Sequence, residues 1–598
     1  MTARLRRLAR GLVLLARLLW ECSPAYTVLG LVAVVLQAAA AAAVMVGSGR
    51  LVGGVVRGEL DTRWLALTIG ALVLQPIFTT AVEIVGVIEQ GRATPLLLEK
   101  VARLASRPHG IEHLEVPETR QSIEAAIEEI NQQYFLGVQS TWEVLNLRLW
   151  GFAALLVLAS WSWWVALVVL VATLTMNATW SGYSQQIFED IFRDRTRRRS
   201  RWYHDLLIDR DTAKEVRLFG LSDFGLDRFS ATWHAAMREL WRGRADKLRP
   251  TYVAVVLMLA AYVLALAVLA HDAWTGAIST AVLLTSAQAM TQIEGLGMLG
   301  DIQTMVNRQQ ALLLDMDDLA RRLPSYDDRA FTPVGAGPAA VSLRDVTFTY
   351  PGRSEPTFAG LCLDLEPGTS VAVVGPNGAG KSTLIKLLCG LHRPCSGTVR
   401  VDGGDPGEDD ALRRRVAVIF QEFVRYHVSL RDNVAMALLS DHVLPSDIDS
   451  VAERALHDAV GDPVLRRVGD WDRVLSNEYA GGTDLSGGQW QRVALARALA
   501  AVDAGAGVLV LDEPTAALDV RAEAALFDNF LRVTRGVTTI LVSHRLSSVR
   551  HADRIVVLDQ GRIVEDGSHA ELVARGGHYA RMFALQAERF ALAGGTTP

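Results

Sequence analysis

Cysteine is scarce: a chain of 598 residues has four, Cys22, Cys362, Cys389 and Cys395, and no CxxC pair, which argues against a disulfide framework. The stretch CGLHRPC sets His392 between two of them, but the spacing suits a metal poorly, and buried reduced thiols are the plainer reading. A basic excess is missing too, since 60 Lys and Arg stand against 65 Asp and Glu, so nothing in the charge points to nucleic acid. Nor is a cleavable signal expected. The N-terminus MTARLRRLAR is basic, yet the apolar run behind it is broken by Arg17 and Glu21 and ends in no small-residue cleavage site. It is expected to form an amphipathic helix lying on the membrane.

Most of the long uncharged runs lie before residue 300, which accounts for a mean hydropathy of +0.22. A membrane-spanning helix needs about 20 apolar residues, and six such spans are predicted, at 26–46, 65–87, 142–160, 163–181, 251–270 and 277–297. Arginine-rich stretches between Arg92 and Arg120 and in FRDRTRRRSRW place the long connections in the cytoplasm, and the SWSWW and HDAW turns outside. The loop 47–63 dissents, with Arg50, Arg57 and Arg63 on the outer side. The connections 88–141 and 182–250 have helical composition and are far longer than a turn requires. Within the spans, Glu83 and Glu294 fall near the inner boundary, while Arg148, Gln288 and Gln292 lie deeper. These deeper groups either line a cavity or satisfy one another between packed helices.

Beyond a proline- and glycine-bearing linker, the strand TSVAVVG runs into GPNGAGKST, the phosphate-loop pattern GxxxxGK[ST] at a strand-to-helix junction. Gly375, Gly378 and Gly380, with Asn377 between them, let backbone N–H groups approach phosphates. Lys381 supplies a cation to the β- and γ-phosphates, and Ser382, followed by Thr383, supplies a hydroxyl for Mg²⁺. A second buried strand, GVLVLDEP, carries Asp512 to the sheet edge to hold the metal, and Glu513 to accept a proton from attacking water. A third, TTILVSHR, brings His544 to the same edge for a γ-phosphate contact. RIVVLDQGRIVEDG is expected to be a hairpin turning at Gln560-Gly561. One stretch is left over: LSGGQWQR opens a helix on two glycines, a second phosphate cradle in a chain that already has one.

The order of phosphate loop, Gln421 after VAVIF, LSGGQ, VLVLDEP, AALD and VSHR resembles the nucleotide-binding domain of ATP-binding cassette (ABC) transporters, and the preceding spans resemble the exporter-type membrane domain of that superfamily. The resemblance implies an α-helical six-span domain over 1–325, a linker over 326–340, an α/β P-loop ATPase domain with a helical subdomain over 341–590, and a tail over 591–598. It implies ATP and Mg²⁺, the metal held by Ser382, Gln421 and Asp512. Tyr350 would stack on adenine, and Asp519 would communicate across a dimer. Segments Glu115 to Ile123 and Leu206 to Lys214 would be coupling helices. Ser486, Gly487, Gly488 and Gln489 would close on the nucleotide of a second chain, which answers why one chain has two cradles. The implied protein is an ATP-driven exporter of the bacterial inner membrane, working as a homodimer by alternating access; a heterodimer stays open. QEFVRYHVSLRDNV and EYAGGTDLSGGQWQR resemble exporters of ribosomal peptides, so a peptide or amphiphilic small molecule is the expected cargo. Lipid or multidrug export, siderophore import on an exporter fold, and an ATP-gated channel or sensor are the alternatives.

Overall fold

The computed structural model describes residues 2–59, 61–131, 137–193, 195–210, 212–297, 300–323, 337–441, 448–513, 536–543 and 549–594. They form two units: residues 1–104 with 121–322, and residues 105–120 with 323–598.

The first unit is helical. It contains α1 (Thr2–Cys22), α2 (Pro24–Val56), α3 (Thr62–Ser106), most of α5 (Pro117–Asn131), α6 (Gly137–Trp161), α7 (Trp163–Arg193), α8 (Arg195–Ile208), α9 (Ala213–Leu218), α10 (Ser222–Trp274), α11 (Thr280–Gln292) and α12 (Gly300–Arg322), while the short α4 (Glu112–Glu115) belongs to the second unit. Among the described residues, five helical stretches are long and apolar enough to cross a membrane: Pro24–Val56, Thr62–Ser106, Gly137–Trp161, Trp163–Tyr183 and Leu248–Trp274. At 1.5 Å per residue, α10 alone is about 80 Å long, far more than a bilayer core. The basic α1 buries Leu15, Leu18 and Leu19 and leaves Leu12, Val13 and Trp20 exposed, as an interfacial helix should. Arg10 fixes it to α12 by donating to Asp317 Oδ2 from Nε at 2.8 Å and to Asp318 Oδ1 at 2.9 Å. Two of the three dissenting arginines find local partners, Arg57 beside Glu59 at 3.7 Å and Arg50 over the Trp64 ring at 5.6 Å.

The sixth expected span is not one helix. It comprises the 13-residue α11, a 3-10 turn over Ile293–Leu296, and a fresh start at Gly300. Glycines allow the break: a Cβ on Gly295 would collide with the Leu147 carbonyl, and one on Gly297 would lie 2.7 Å from Thr173 Cγ2. A carbonyl freed from its helix in apolar surroundings is costly, and Arg148 of α6 removes that cost. Its Nη1 donates to the carbonyls of Gly295 (3.0 Å) and Gly297 (2.8 Å), and its Nη2 to Gln303 Oε1 (2.8 Å) and Asn177 Oδ1 (3.3 Å). Gln288 is likewise engaged, accepting from Ser48 Oγ at 2.9 Å. Of the two readings open for the deep polar groups, these two residues take the structural one. Gln292, Glu83 and Glu294 are exposed. A further polar group, Glu89, lies fully buried on α3 and accepts from Thr27 Oγ1 and Trp142 Nε1, each at 2.8 Å, with no local pattern to announce it.

The second unit is built on two sheets. β1 (Val341–Phe348) lies between β2 (Phe358–Leu365) and β4 (Ser396–Val401), antiparallel to both. The main sheet has the order β5 (Val416–Ile419), β6 (Val508–Asp512), β7 (Thr538–Val542), β3 (Ser370–Val374), β8 (Arg554–Asp559), β9 (Arg562–Gly567). All its pairs are parallel except β8 with β9. That hairpin turns at Gln560 and Gly561, both at positive φ (46° and 74°), as the dipeptide predicts. Every residue of β6 and of β7 is buried, which explains their unbroken apolar runs. α13 (Lys381–Leu388) follows β3, and α14 (Asp410–Arg414) precedes β5. The helical subdomain has its own core, where Trp490 and Val493 of α18 (Gly487–Asp503) meet Leu430 and Val434 of α15 (Leu430–Ala435), Leu456 of α16 (Ile448–Asp458) and Val464 of α17 (Asp462–Val468).

Candidate functional site

Parallel strands deliver the site. β3 ends at Val374, and the turn that follows requires glycine: Gly375 has φ +156° and a Cβ there would strike the Leu558 carbonyl. Gly380, φ +105°, is the N-cap of α13, and its Cβ would lie 2.7 Å from the Phe358 ring. Asn377, Gly378 and Gly380 therefore sit in a loop closed by its own backbone, with Lys381, Ser382 and Thr383 on the first turn of α13. Lys381 is buried, and its Nζ donates to the carbonyls of Gly375 (2.9 Å) and Pro376 (3.0 Å). Burial holds its pKa below the ordinary lysine value, against the pull of Glu513 and Asp512.

Asp512 closes β6 and is buried. Its carboxyl is pushed up to about 6, first by burial and then by Glu513, while Lys381 and a hydrogen bond from Ser382 pull it down. Glu513 follows with φ +50°, a left-handed backbone that costs a residue with a side chain, and its N–H is tied to the Val542 carbonyl at 2.9 Å. The Glu513 carboxylate accepts from Gln421 Nε2 at 3.0 Å, just beyond the end of β5. Two carboxylates thus face a single lysine. Ser382, Gln421 and Asp512 offer the hard oxygens that suit Mg²⁺, and burial, then the neighbouring Glu513, disfavour the bare Asp512 carboxylate.

Tyr350 follows β1 and touches the same loop: its hydroxyl is 3.1 Å from Thr383 Oγ1. The second cradle is elsewhere. Ser486 caps α18, completing a reciprocal pair in which Gln489 Oε1 accepts from Ser486 N at 3.0 Å and Ser486 Oγ accepts from Gln489 N at 3.4 Å. Ser486 and Gly487 are exposed, Gly488 is half-buried, and Trp490 anchors the loop by donating to Asp484 Oδ1 at 3.1 Å. Lys381, Ser382, Gln421, Asp512 and Glu513 are brought together, whereas Ser486 and Gln489 satisfy each other. Asp519 and His544 lie outside the described residues. His392, whose spacing between two cysteines suits a metal poorly, has another place in the fold. Its side chain, wholly buried, packs against Tyr350 with ring centroids 5.4 Å apart.

A glycine loop, its lysine and a strand-end acid pair on a parallel sheet define a P-loop nucleotide-binding domain. Residues 358–516 match the family described as ABC transporter. The chain is 34% identical over 384 residues to an ATP-dependent lipid A-core flippase of Xanthomonas axonopodis pv. citri, covering 62% of each chain. It is 40% identical over 256 residues to the mycobactin import ATP-binding/permease protein IrtB of Mycobacterium tuberculosis, covering 42% of each. These alignments span between about two fifths and three fifths of the curated relatives' length. In fold it is similar to a bacterial Atm1-family ABC exporter with ATP bound, at a TM-score of 0.71 and 24% identity over 94% of this chain and 98% of that one. Residues 358–516 thus carry the match to the ABC transporter family, on a chain whose described residues also include five helices long and apolar enough to cross a membrane.

Proposed function

We propose that the chain hydrolyses ATP to drive an amphiphilic small molecule or a peptide outward across a bacterial inner membrane, working as a dimer by alternating access. The observation that carries this reading is the convergence of Lys381, Ser382, Gln421, Asp512 and Glu513 at the ends of parallel strands. Lys381 exchanges its two loop carbonyls for phosphate oxygens, which form stronger charge-assisted bonds. Glu513, aimed by its left-handed backbone and by Gln421, takes the proton of the attacking water. Ser382, Gln421 and Asp512 would hold Mg²⁺, which when bound would supply charge neutralisation at the phosphates. Tyr350 stacks on the base. Asp519 and His544 are assigned the dimer-communication and γ-phosphate roles.

The exposed Ser486–Gly487 tip supports reciprocity: the start of a 17-residue helix opening on two glycines suits the phosphate of a second copy's nucleotide. ATP then holds two cassettes together, and hydrolysis releases them, each state being favoured only by as much as ATP prefers it. The lipid named for the flippase relatives supports an amphiphilic cargo. A second reading, import, is supported by the relatives named for mycobactin import. Vesicles decide between them. Accumulation of a labelled lipid or peptide in inside-out vesicles given external ATP is the expected result; accumulation only in right-side-out vesicles loaded with ATP establishes import. ATP-driven current without accumulation overturns both in favour of a gate.

A further inference from the structure

Residues 105–120 leave the helical unit and cluster with the cassette, although α3 before them and most of α5 after them do not. The contact falls on 109–115, slightly earlier than the segment the sequence suggests. Ile111 N donates to the Leu391 carbonyl at 2.9 Å, and Gly110 comes so close that a Cβ would lie 2.7 Å from that same oxygen. Arg393 N donates to Glu112 Oε1 at 2.7 Å, and His109 Nδ1 lies 2.8 Å from Asp410 Oδ1.

Two further side chains connect this loop to Tyr350. Lys386 Nζ is 3.0 Å from Glu115 Oε1 and 5.4 Å from the centre of the Tyr350 ring, where a cation meets the aromatic face. His392 has Nε2 3.4 Å from Glu115 Oε1 and Nδ1 3.8 Å from Glu112 Oε1, and its ring meets Tyr350 edge-on. Both carboxylates of α4 therefore reach groups that touch the aromatic, and Tyr350 itself reaches Thr383 beside Ser382.

We propose that Lys386 and His392 are positioning residues that set the Tyr350 ring for the nucleotide base and latch α4 to it, so that the base, and not only the triphosphate, governs the grip on the 105–120 loop. This rests on reading Tyr350 as the base platform. A base stacked on one ring face excludes water there and strengthens the ion pairs behind it. By linkage, a seated α4 then favours the base by the same factor that the base favours a seated α4.

The test uses the full-length protein in lipid nanodiscs, with ATP and with ribose 5-triphosphate, which lacks the base. Glu115→Lys and Lys386→Glu are each expected to raise the KM for ATP about fivefold or more while kcat changes less, and the double exchange to restore it. KM for ribose 5-triphosphate should be the same in all of them. In the unmodified protein, ATP should slow hydrogen exchange in 105–120, and ribose 5-triphosphate should not. Tyr350→Ala separates the two layers. If it leaves the preference for ATP over ribose 5-triphosphate intact, the platform reading fails. If it abolishes that preference while Glu115→Lys leaves the KM for ATP unchanged, or the exchanged pair fails to restore it, or both ligands protect 105–120 equally, the latch is overturned.

Discussion

Each half of the molecule holds a cation against backbone carbonyls beside glycine, and the two are not alike. Lys381 in the cassette reaches back to Gly375 and Pro376, two carbonyls of its own loop, with Asp512 and Glu513 close by. Arg148 in the membrane domain reaches across helices, to the broken segment at Gly295 and Gly297, to Asn177 on α7 and to Gln303 on α12. The lysine's contacts are local and can be exchanged for phosphate with no helix moving. The arginine's contacts replace hydrogen bonds that the sixth span gave up, and losing them strands carbonyls in an apolar setting. Polar groups of the cassette should therefore be removable at the expense of chemistry, and those of the membrane domain at the expense of structure.

The largest expected effect is at Glu513. Glu513→Gln removes the proposed general base but keeps the shape, so turnover should fall about 10²- to 10⁴-fold while ATP binding and thermal stability hold, and ATP should trap a closed dimer. Near-normal phosphate release by this variant would remove Glu513 from the mechanism and blur the contrast on the cassette side. Next is Lys381→Met, which loses charge-assisted bonds to phosphate worth about 1.5–3 kcal/mol each, so nucleotide affinity should drop at least about tenfold. Because Lys381 is held below its ordinary pKa by burial, its charged form is an expense in the nucleotide-free fold. The nucleotide-free variant should melt no earlier than its parent.

Arg148→Met is the counterpart, and here the readout inverts. Each carbonyl left without a donor costs about 1–3 kcal/mol, so the detergent-solubilised protein should melt several degrees lower while its affinity for nucleotide stays put. Arg148→Lys has too few donors, in the wrong geometry, to serve all four acceptors, and should recover only part of the loss. If Lys381→Met and Arg148→Met shift melting equally, the two cations do the same job and the comparison collapses.

The difference also governs what could be read beforehand. The phosphate loop was legible because glycine is demanded by local backbone geometry at Gly375 and Gly380, and Gln560-Gly561 announced its hairpin for the same reason. Acidic Asp512 and Glu513 were legible because a fully buried strand can end in them at only one edge of the sheet. The break in the sixth span was not: a hydropathy average over 277–297 is blind to a donor on α6, nearly 150 residues away, that makes an interrupted helix tolerable. Nor could sequence show that Lys386 pairs with Glu115, 271 residues earlier, or that His392 belongs behind Tyr350 and not with its neighbouring cysteines. Local rules leave local marks; pairing across the chain leaves none until the fold brings the partners together.

The smallest effect sharpens the cassette side of the comparison through pH. Asp512 is pushed up to about 6 by burial and by Glu513, so below that value its carboxyl is mostly protonated in the nucleotide-free protein. A proton there must leave before Mg²⁺ can be held, and the metal's apparent affinity should therefore fall as pH falls. For one group titrating at about 6, the ionised fraction drops about fourfold between pH 7 and pH 5.5. Mg²⁺ titrations of tryptophan fluorescence in the nucleotide-free protein should show a loss of about that size. Asp512→Asn should bind Mg²⁺ weakly and lose this pH dependence, while Arg148→Met should retain it. A pH profile identical in Asp512→Asn and its parent would mean that another group titrates, and that crowding at the end of β6 does not tune the metal site.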